Sequence, residues 1–167
     1  MTHVFDINAQ VDRFFDDASV PAGQPVCVLL MGGTGSGKTT IRQERYATGY
    51  ALLDAATIFI SLTGPTYFDF PHADFEMPLN AIGSAVAERA IRERRNLVVE
   101  FIGADVDPMK RVIEALTACG YKVDLQFIDC DVTEAWNRNL NRGPDNISAY
   151  YTEPYHVRWL LAATAAG

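Results

Sequence analysis

Val26-Cys27-Val28-Leu29-Leu30-Met31-Gly32-Gly33-Thr34-Gly35-Ser36-Gly37-Lys38-Thr39-Thr40 is an apolar run that closes on Gly-x-x-x-x-Gly-Lys-Thr. The run is short and partly β-branched, which suits a buried strand. The glycines then permit a tight loop whose amide N–H groups turn inward. A helix is expected from about Lys38, and its N-terminus adds a positive dipole and unpaired donors. Strand, glycine loop and helix in that order make a cradle for the α- and β-phosphates of a nucleotide. The cradle residues are Gly33, Thr34, Gly35, Ser36, Gly37, Lys38, Thr39 and Thr40. Lys38 would reach the β- and γ-phosphates, and the Thr39 hydroxyl would ligate Mg²⁺. A plain turn into a helix needs one or two glycines, not four with a lysine behind them.

The rest of the composition narrows the class. A length of 167 residues suits one domain with a real core. Apolar residues at 49% and charged residues at 21% are ordinary for a globular chain. No apolar run approaches the roughly 18 residues of a membrane span, so no membrane partner is expected. The segment Met1 to Asp6 is acidic and lacks a basic-then-apolar secretion signal. Cys27, Cys119 and Cys130 lie in or beside apolar stretches and read as small core residues in a reducing cytoplasm. No Cys/His spacing suggests zinc. A net charge of −7 argues against broad electrostatic binding to nucleic acid.

Outside the loop, helix and strand signals alternate. Residues 6–18 place Ile7, Val11, Phe14 and Phe15 on one helical face behind an Asp6 cap, as a helix packed outside the core. Residues 19–25 link it to the first strand. The helix from Lys38 should stop near Tyr46, before Gly49. Tyr50 to Leu53 is a second strand ending at Asp54, and Thr57 to Leu62 is a weak, β-branched helix. Residues 63–78, with three prolines and four aromatics, read as an irregular loop that either shapes an acceptor pocket or covers the core with its aromatics. Leu79 to Arg95 is a helix with Arg89, Arg92, Arg94 and Arg95 on a solvated face. Asn96 to Phe101 is a third strand. Asp107-Pro108 starts a helix that ends at Cys119-Gly120, with Asp107 as its cap. Tyr121 to Asp129 is a fourth strand, and Val132 to Leu140 is a helix stopped by Gly143-Pro144. A last helix is expected over 145–167. His72 and His156 have no partner acid at a telling spacing and read as structural. The whole is a single domain: residues 1–24 as helix and linker, 26–143 as core. The order implies a three-layer α/β fold, with a mainly parallel sheet of four to five strands and helices on both faces.

Ligands in such a sheet bind at the carboxyl ends of the strands, where Asp54, Glu100 and Asp129 fall. Asp54 is placed to accept the proton of an acceptor hydroxyl, or else to cap the next helix. Glu100 is placed to hold Mg²⁺ through water or to bind the acceptor, or else is a surface acid. Asp129 reads as a strand exit, with Asp131 capping the helix that follows. Arg138 and Arg142, spaced i, i+4, project from one helix face, either as a lid over phosphates or as a solvated helix end.

With these residues in view, the chain resembles the zeta-toxin-like group of small phosphate-loop kinases, within the wider set of polynucleotide-kinase- and gluconate-kinase-type enzymes. The resemblance rests on the loop from Gly32 to Thr40, on Leu52-Leu53-Asp54, on Asn96-Leu97-Val98-Val99-Glu100, and on Arg138 with Arg142. It implies ATP- and Mg²⁺-dependent phosphorylation of a small-molecule hydroxyl, which in zeta toxins belongs to a UDP-linked amino sugar. It implies Asp54 as base, Glu100 as an acceptor- or metal-side acid, and Arg138 and Arg142 as charge-stabilising arginines beside Lys38. It also implies an antitoxin-like protein partner. A kinase of a nucleic-acid hydroxyl and a regulatory NTPase are the rival readings. The chain has no Asn-Lys-x-Asp segment to read guanine, which lowers a GTPase switch.

Overall fold

A computed structural model describes residues 6–15, 20–64, 73–102 and 106–142. Four strands form one sheet: β1 (Val26–Met31), β2 (Ala51–Leu53), β3 (Leu97–Phe101) and β4 (Lys122–Phe127), in the order β2-β3-β1-β4. Every pairing is parallel. β1 is flanked on both sides, and Cys27 to Leu30 are 0–1% exposed. A strand covered on both faces needs a continuous apolar run, which is what β1 has. β4 lies at an edge and alternates instead, leaving Leu125 and Phe127 exposed.

Side chains alternate across a strand, so β1 feeds two cores. Cys27 and Leu29 join Ala51, Leu97 and the helices α3 (Ala55–Thr63), α4 (Ala73–Glu93) and α5 (Val106–Ala118). On α4, Ile82, Val86 and Ala90 are each fully buried at i, i+4, i+8. Burying one such Ile or Val contributes roughly 1.5–3 kcal/mol. On the opposite face, Val28, Leu30 and Val98 pack with Leu52, Tyr46 and Tyr50 beneath α2 (Lys38–Arg45).

Five expectations change. The first helix, α1 (Ile7–Asp12), is a core element, because Val11, Phe14 and Phe15 are buried in the larger cluster. Asp6 caps it as expected, accepting from Ala9 N at 3.1 Å. Arg89 binds it down, donating to Asp12 at 2.5 Å with its guanidinium 4.4 Å over the Phe15 ring, so that arginine is not simply solvated. The irregular stretch is shorter than expected, because α4 begins at Ala73 and carries Pro78 inside it. Proline there forfeits one backbone donor near the helix start while the rest of the helix continues. α5 begins at Val106, so Asp107 lies in its first turn rather than at the cap, where its charge still favours the helix dipole. Finally, Cys119 is exposed rather than a core residue, while Cys27 is buried and its thiol is pushed up to about 12. The expected C-terminal helix, Gly143-Pro144, Tyr67, Phe70, His72 and His156 lie outside the described residues. No helix among the described residues is long and apolar enough to cross a membrane.

Candidate active site

The loop between β1 and α2 is built by glycine at two decisive places. Gly37 sits at the N-cap of α2 with φ 104°, a conformation that side chains rarely adopt. It brings no side chain to cap the helix, so the first-turn amides of α2 keep their donors for an outside anion. Gly35 has φ 79°, and a Cβ there would lie 2.1 Å from the Ala135 carbonyl oxygen. Glycine is therefore what lets α6 (Val132–Leu140) sit directly on the loop. Ser36 N donates to the Gly33 carbonyl at 3.2 Å and closes the turn. Ser36 Oγ is buried in the loop without a hydrogen-bond partner among the described residues.

Lys38 Nζ donates to the Gly32 and Gly33 carbonyls at 2.7 and 2.9 Å, which ties the ammonium to the loop. Burial lowers its pKa to about 8. Glu100 and Asp54 oppose that fall, while the nearby Arg142 charge adds to it.

The two carboxylates reach the loop from neighbouring strands. In the β1–β3 register Glu100 stands beside Leu30, one residue before the end of β1. Glu100 points to the same face as Val98, two residues earlier, and that is the face covered by α2. There it meets two α2 residues at i, i+3. Thr39 Oγ1 donates to Oε2 at 2.9 Å, and Arg42 Nε donates to Oε1 at 2.5 Å. The Glu100 side chain is 7% exposed and that of Arg42 17%. Removing one member of so enclosed a pair is costly, because the other is left as an uncompensated charge.

Asp54 follows β2, with extended backbone, and is the N-cap of α3. Its Oδ2 accepts from Thr57 N at 2.9 Å and from Thr57 Oγ1 at 2.7 Å. Both bonds end on one oxygen. Among the described residues, Oδ1 takes part in neither.

Arg138 comes from α6, whose own cap is Asp131, accepting from Glu134 N at 3.0 Å. Arg138 forms an i, i+4 ion pair with Glu134, and its Nη1 donates to the Gly35 carbonyl at 3.4 Å. Arg142 lies two residues beyond the helix end. The expected shared helix face therefore gives way to a helix residue and a post-helix residue that converge.

All of these line one open cleft of about 780 Å³: Thr34 to Thr40, Asp54, Glu100, Arg138 and Arg142. Of the expected cradle, Gly33 takes part through its carbonyl. Asp129 is exposed and not among the lining residues. Ala55, Ala56, Phe101 and Ile102 complete a small, largely apolar wall. Arg42 was not singled out in the sequence, although its place four residues after Lys38 puts it on the α2 face that carries the loop lysine.

The donor set suits a hard, phosphate-bound cation. Among the described residues no group of three His, Cys, Asp or Glu side chains could hold a metal by itself. One carboxylate and one hydroxyl, Glu100 and Thr39, are the kind of partial shell on which Mg²⁺ relies when phosphates and water supply the rest. The unpartnered Ser36 hydroxyl and the uncapped start of α2 suit a phosphate chain beside it.

A parallel sheet with its glycine loop between a central strand and a helix, and acids on adjacent strand ends, defines a phosphate-loop kinase fold. Solved structures share it. They include the PezAT chromosomal toxin–antitoxin system of Streptococcus pneumoniae, with 18% identity, TM-score 0.69, and coverage of 83% of this chain and 63% of that one. The AvrRxo1-ORF1:-ORF2 structure with ATP has 17% identity, TM-score 0.71, and coverage of 93% and 53%. The Pnkp1/Rnl/Hen1 RNA repair complex has 14% identity, TM-score 0.63, and coverage of 87% and 47%. At these identities the likeness is one of fold, and this chain spans 47–63% of the length of those chains. No curated protein matches it in sequence. Residues 74–157, half of the chain, match the model of the family described as Zeta toxin. The chain belongs to the zeta toxin family, a family of phosphate-loop phosphotransferases.

Proposed function

We propose that this chain transfers the γ-phosphoryl group of ATP to a hydroxyl of a small molecule. The observation that carries the reading is the convergence of Lys38, Thr39, Asp54, Glu100, Arg138 and Arg142 on one cleft. Phosphoryl transfer is mostly positioning and charge neutralisation, and these residues divide that work. The loop amides and Lys38 hold the phosphates. Thr39 and Glu100 would hold Mg²⁺, which would supply charge neutralisation for the phosphates. Arg138 and Arg142 enter from the α6 side and stabilise charge on the transferred group. Asp54 serves as both cap and base, because the Thr57 bonds use Oδ2 and leave Oδ1 to accept the hydroxyl proton. The wall of Ala55, Ala56, Phe101 and Ile102 favours a compact acceptor over a long polyanion.

We place the reaction in the cytoplasm, a reading supported by the free thiols of Cys27, Cys119 and Cys130. An antitoxin-like partner belongs to the same reading, supported by the toxin–antitoxin system among the structural neighbours. The test is label transfer from γ-labelled ATP-Mg²⁺ to a pooled metabolite extract. Wild type should yield a labelled acceptor, and Lys38→Ala should lower the rate by about 10²–10³-fold. Wild-type protein that binds ATP and labels nothing would sink the proposal.

A further inference from the structure

A second cleft of about 510 Å³ lies behind the first. Its floor includes Leu52 and Val98, each two residues before a carboxylate of the candidate active site, on the same sheet face. Two residues of strand place it roughly 7 Å back from Asp54 and Glu100. The wall between the clefts is made by the partners of those acids, since Arg42 and Thr57 both line the second cleft.

The lining is chemically one-sided. Among the described residues it contains two arginines, Arg13 and Arg42, and no carboxylate, in a chain of net charge −7. The acids beside it are bonded to its own wall, with Glu100 paired to Arg42 and Asp54 to Thr57. Thr39 shares Glu100 with Arg42, and Asp124 accepts from Gln126 at 2.8 Å. Arg42 meets Glu100 through Nε, which leaves its Nη donors. Arg13 is exposed at the rim. The lining also carries aromatic rings. Tyr46 and Tyr50 pack edge to face with centroids 5.1 Å apart, and Phe14 is also in the lining. Tyr46 is fixed by a 2.7 Å hydrogen bond to its hydroxyl from Gln126.

Guanidinium donors recognise phosphate or carboxylate, and fixed aromatic rings recognise a flat ring. A volume of this size accepts a small organic ligand rather than a chain segment. We propose that the second cleft binds a small anion carrying a planar ring, with the anion between Arg13 and Arg42 and the ring against Tyr46 and Tyr50. The site is separate from the phosphate loop, and the proposal does not depend on the kinase reading.

The experiment uses phenyl phosphate titrated into full-length protein carrying Lys38→Ala, which weakens the phosphate loop as a competing site. Binding is read by calorimetry and by the tyrosine ring resonances, with inorganic phosphate and benzoate as separate titrants. Phenyl phosphate should bind saturably, benzoate should bind in the same place, and inorganic phosphate should bind at least about tenfold more weakly than phenyl phosphate. Arg13→Ala should weaken phenyl phosphate by about tenfold or more, as loss of a charge-assisted contact does. Ala47→Trp, at an exposed position on the lining, should abolish binding by filling the cleft. No saturable binding, binding of inorganic phosphate as tight as that of phenyl phosphate, failure of benzoate to bind, or failure of either variant to weaken binding overturns the proposal.

Discussion

Asp54 and Glu100 sit at the ends of adjacent parallel strands, face the same side of the sheet and line the same cleft. Their surroundings differ. Asp54 is held by its own chain three residues on, through the Thr57 amide and hydroxyl. Glu100 is held by residues 58 and 61 positions away, Arg42 and Thr39. A local partner makes Asp54 a piece of secondary structure as well as a candidate base. Distant partners make Glu100 the point where β3 is fastened to the phosphate-loop helix. Two carboxylates at equivalent strand ends thus take roles set by what packs over each.

The sharpest way to break this comparison is Asp54→Asn. Asparagine caps a helix about as well as aspartate, so thermal stability should be unchanged. It is no general base, so kcat for phosphotransfer should fall by about 10²–10⁴-fold. Near-wild-type turnover would reduce Asp54 to a cap. Glu100→Gln comes next, with a rate loss of about 10²–10³-fold and a raised Mg²⁺ requirement, measured by metal titration of initial rates. A loss that excess Mg²⁺ does not alter would make Glu100 an acceptor-side or structural acid.

Lys38 supplies a smaller, graded effect. Its pKa of about 8 means that the ammonium form is lost as pH rises through 8, and phosphate binding with it. Between pH 7 and pH 9 the protonated fraction drops from about nine-tenths to about one-tenth, so ATP affinity should weaken by about tenfold. Lys38→Arg should remove this dependence, since arginine stays charged throughout; equilibrium binding across that pH range checks both. The smallest effect is on stability. Asp54→Ala and Thr57→Ala should each cost about 1 kcal/mol in denaturant unfolding, through loss of the same cap. Their double mutant should cost less than the sum, because the two share one interaction.

Much of the fold was legible because its signals are local. β1, α2, α6 and the Asp6 and Asp131 caps follow from apolar runs, glycines and short polar side chains within a few residues. The failures were also local signals, overruled by packing. Three prolines and four aromatics over 63–78 suggested a loop throughout, yet α4 begins at Ala73 and tolerates Pro78 near its start. Phe14 and Phe15 marked an amphipathic segment but not its burial, which needs the facing surface of α4. Arg42 stayed hidden because nothing in its neighbourhood in sequence identifies a distant glutamate as its partner.

By itself, the sequence determined the phosphate loop, since a glycine's freedom at Gly35 and Gly37 and a lysine at Lys38 are properties of consecutive residues. It also determined the alternation of strand and helix that makes a parallel sheet. Only the tertiary structure decided that β3 inserts between β1 and β2, because strand order depends on how helices pack on both faces rather than on any one segment. That insertion sets Glu100 beside the loop, within reach of Thr39 and Arg42, and leaves a second cleft behind the pair.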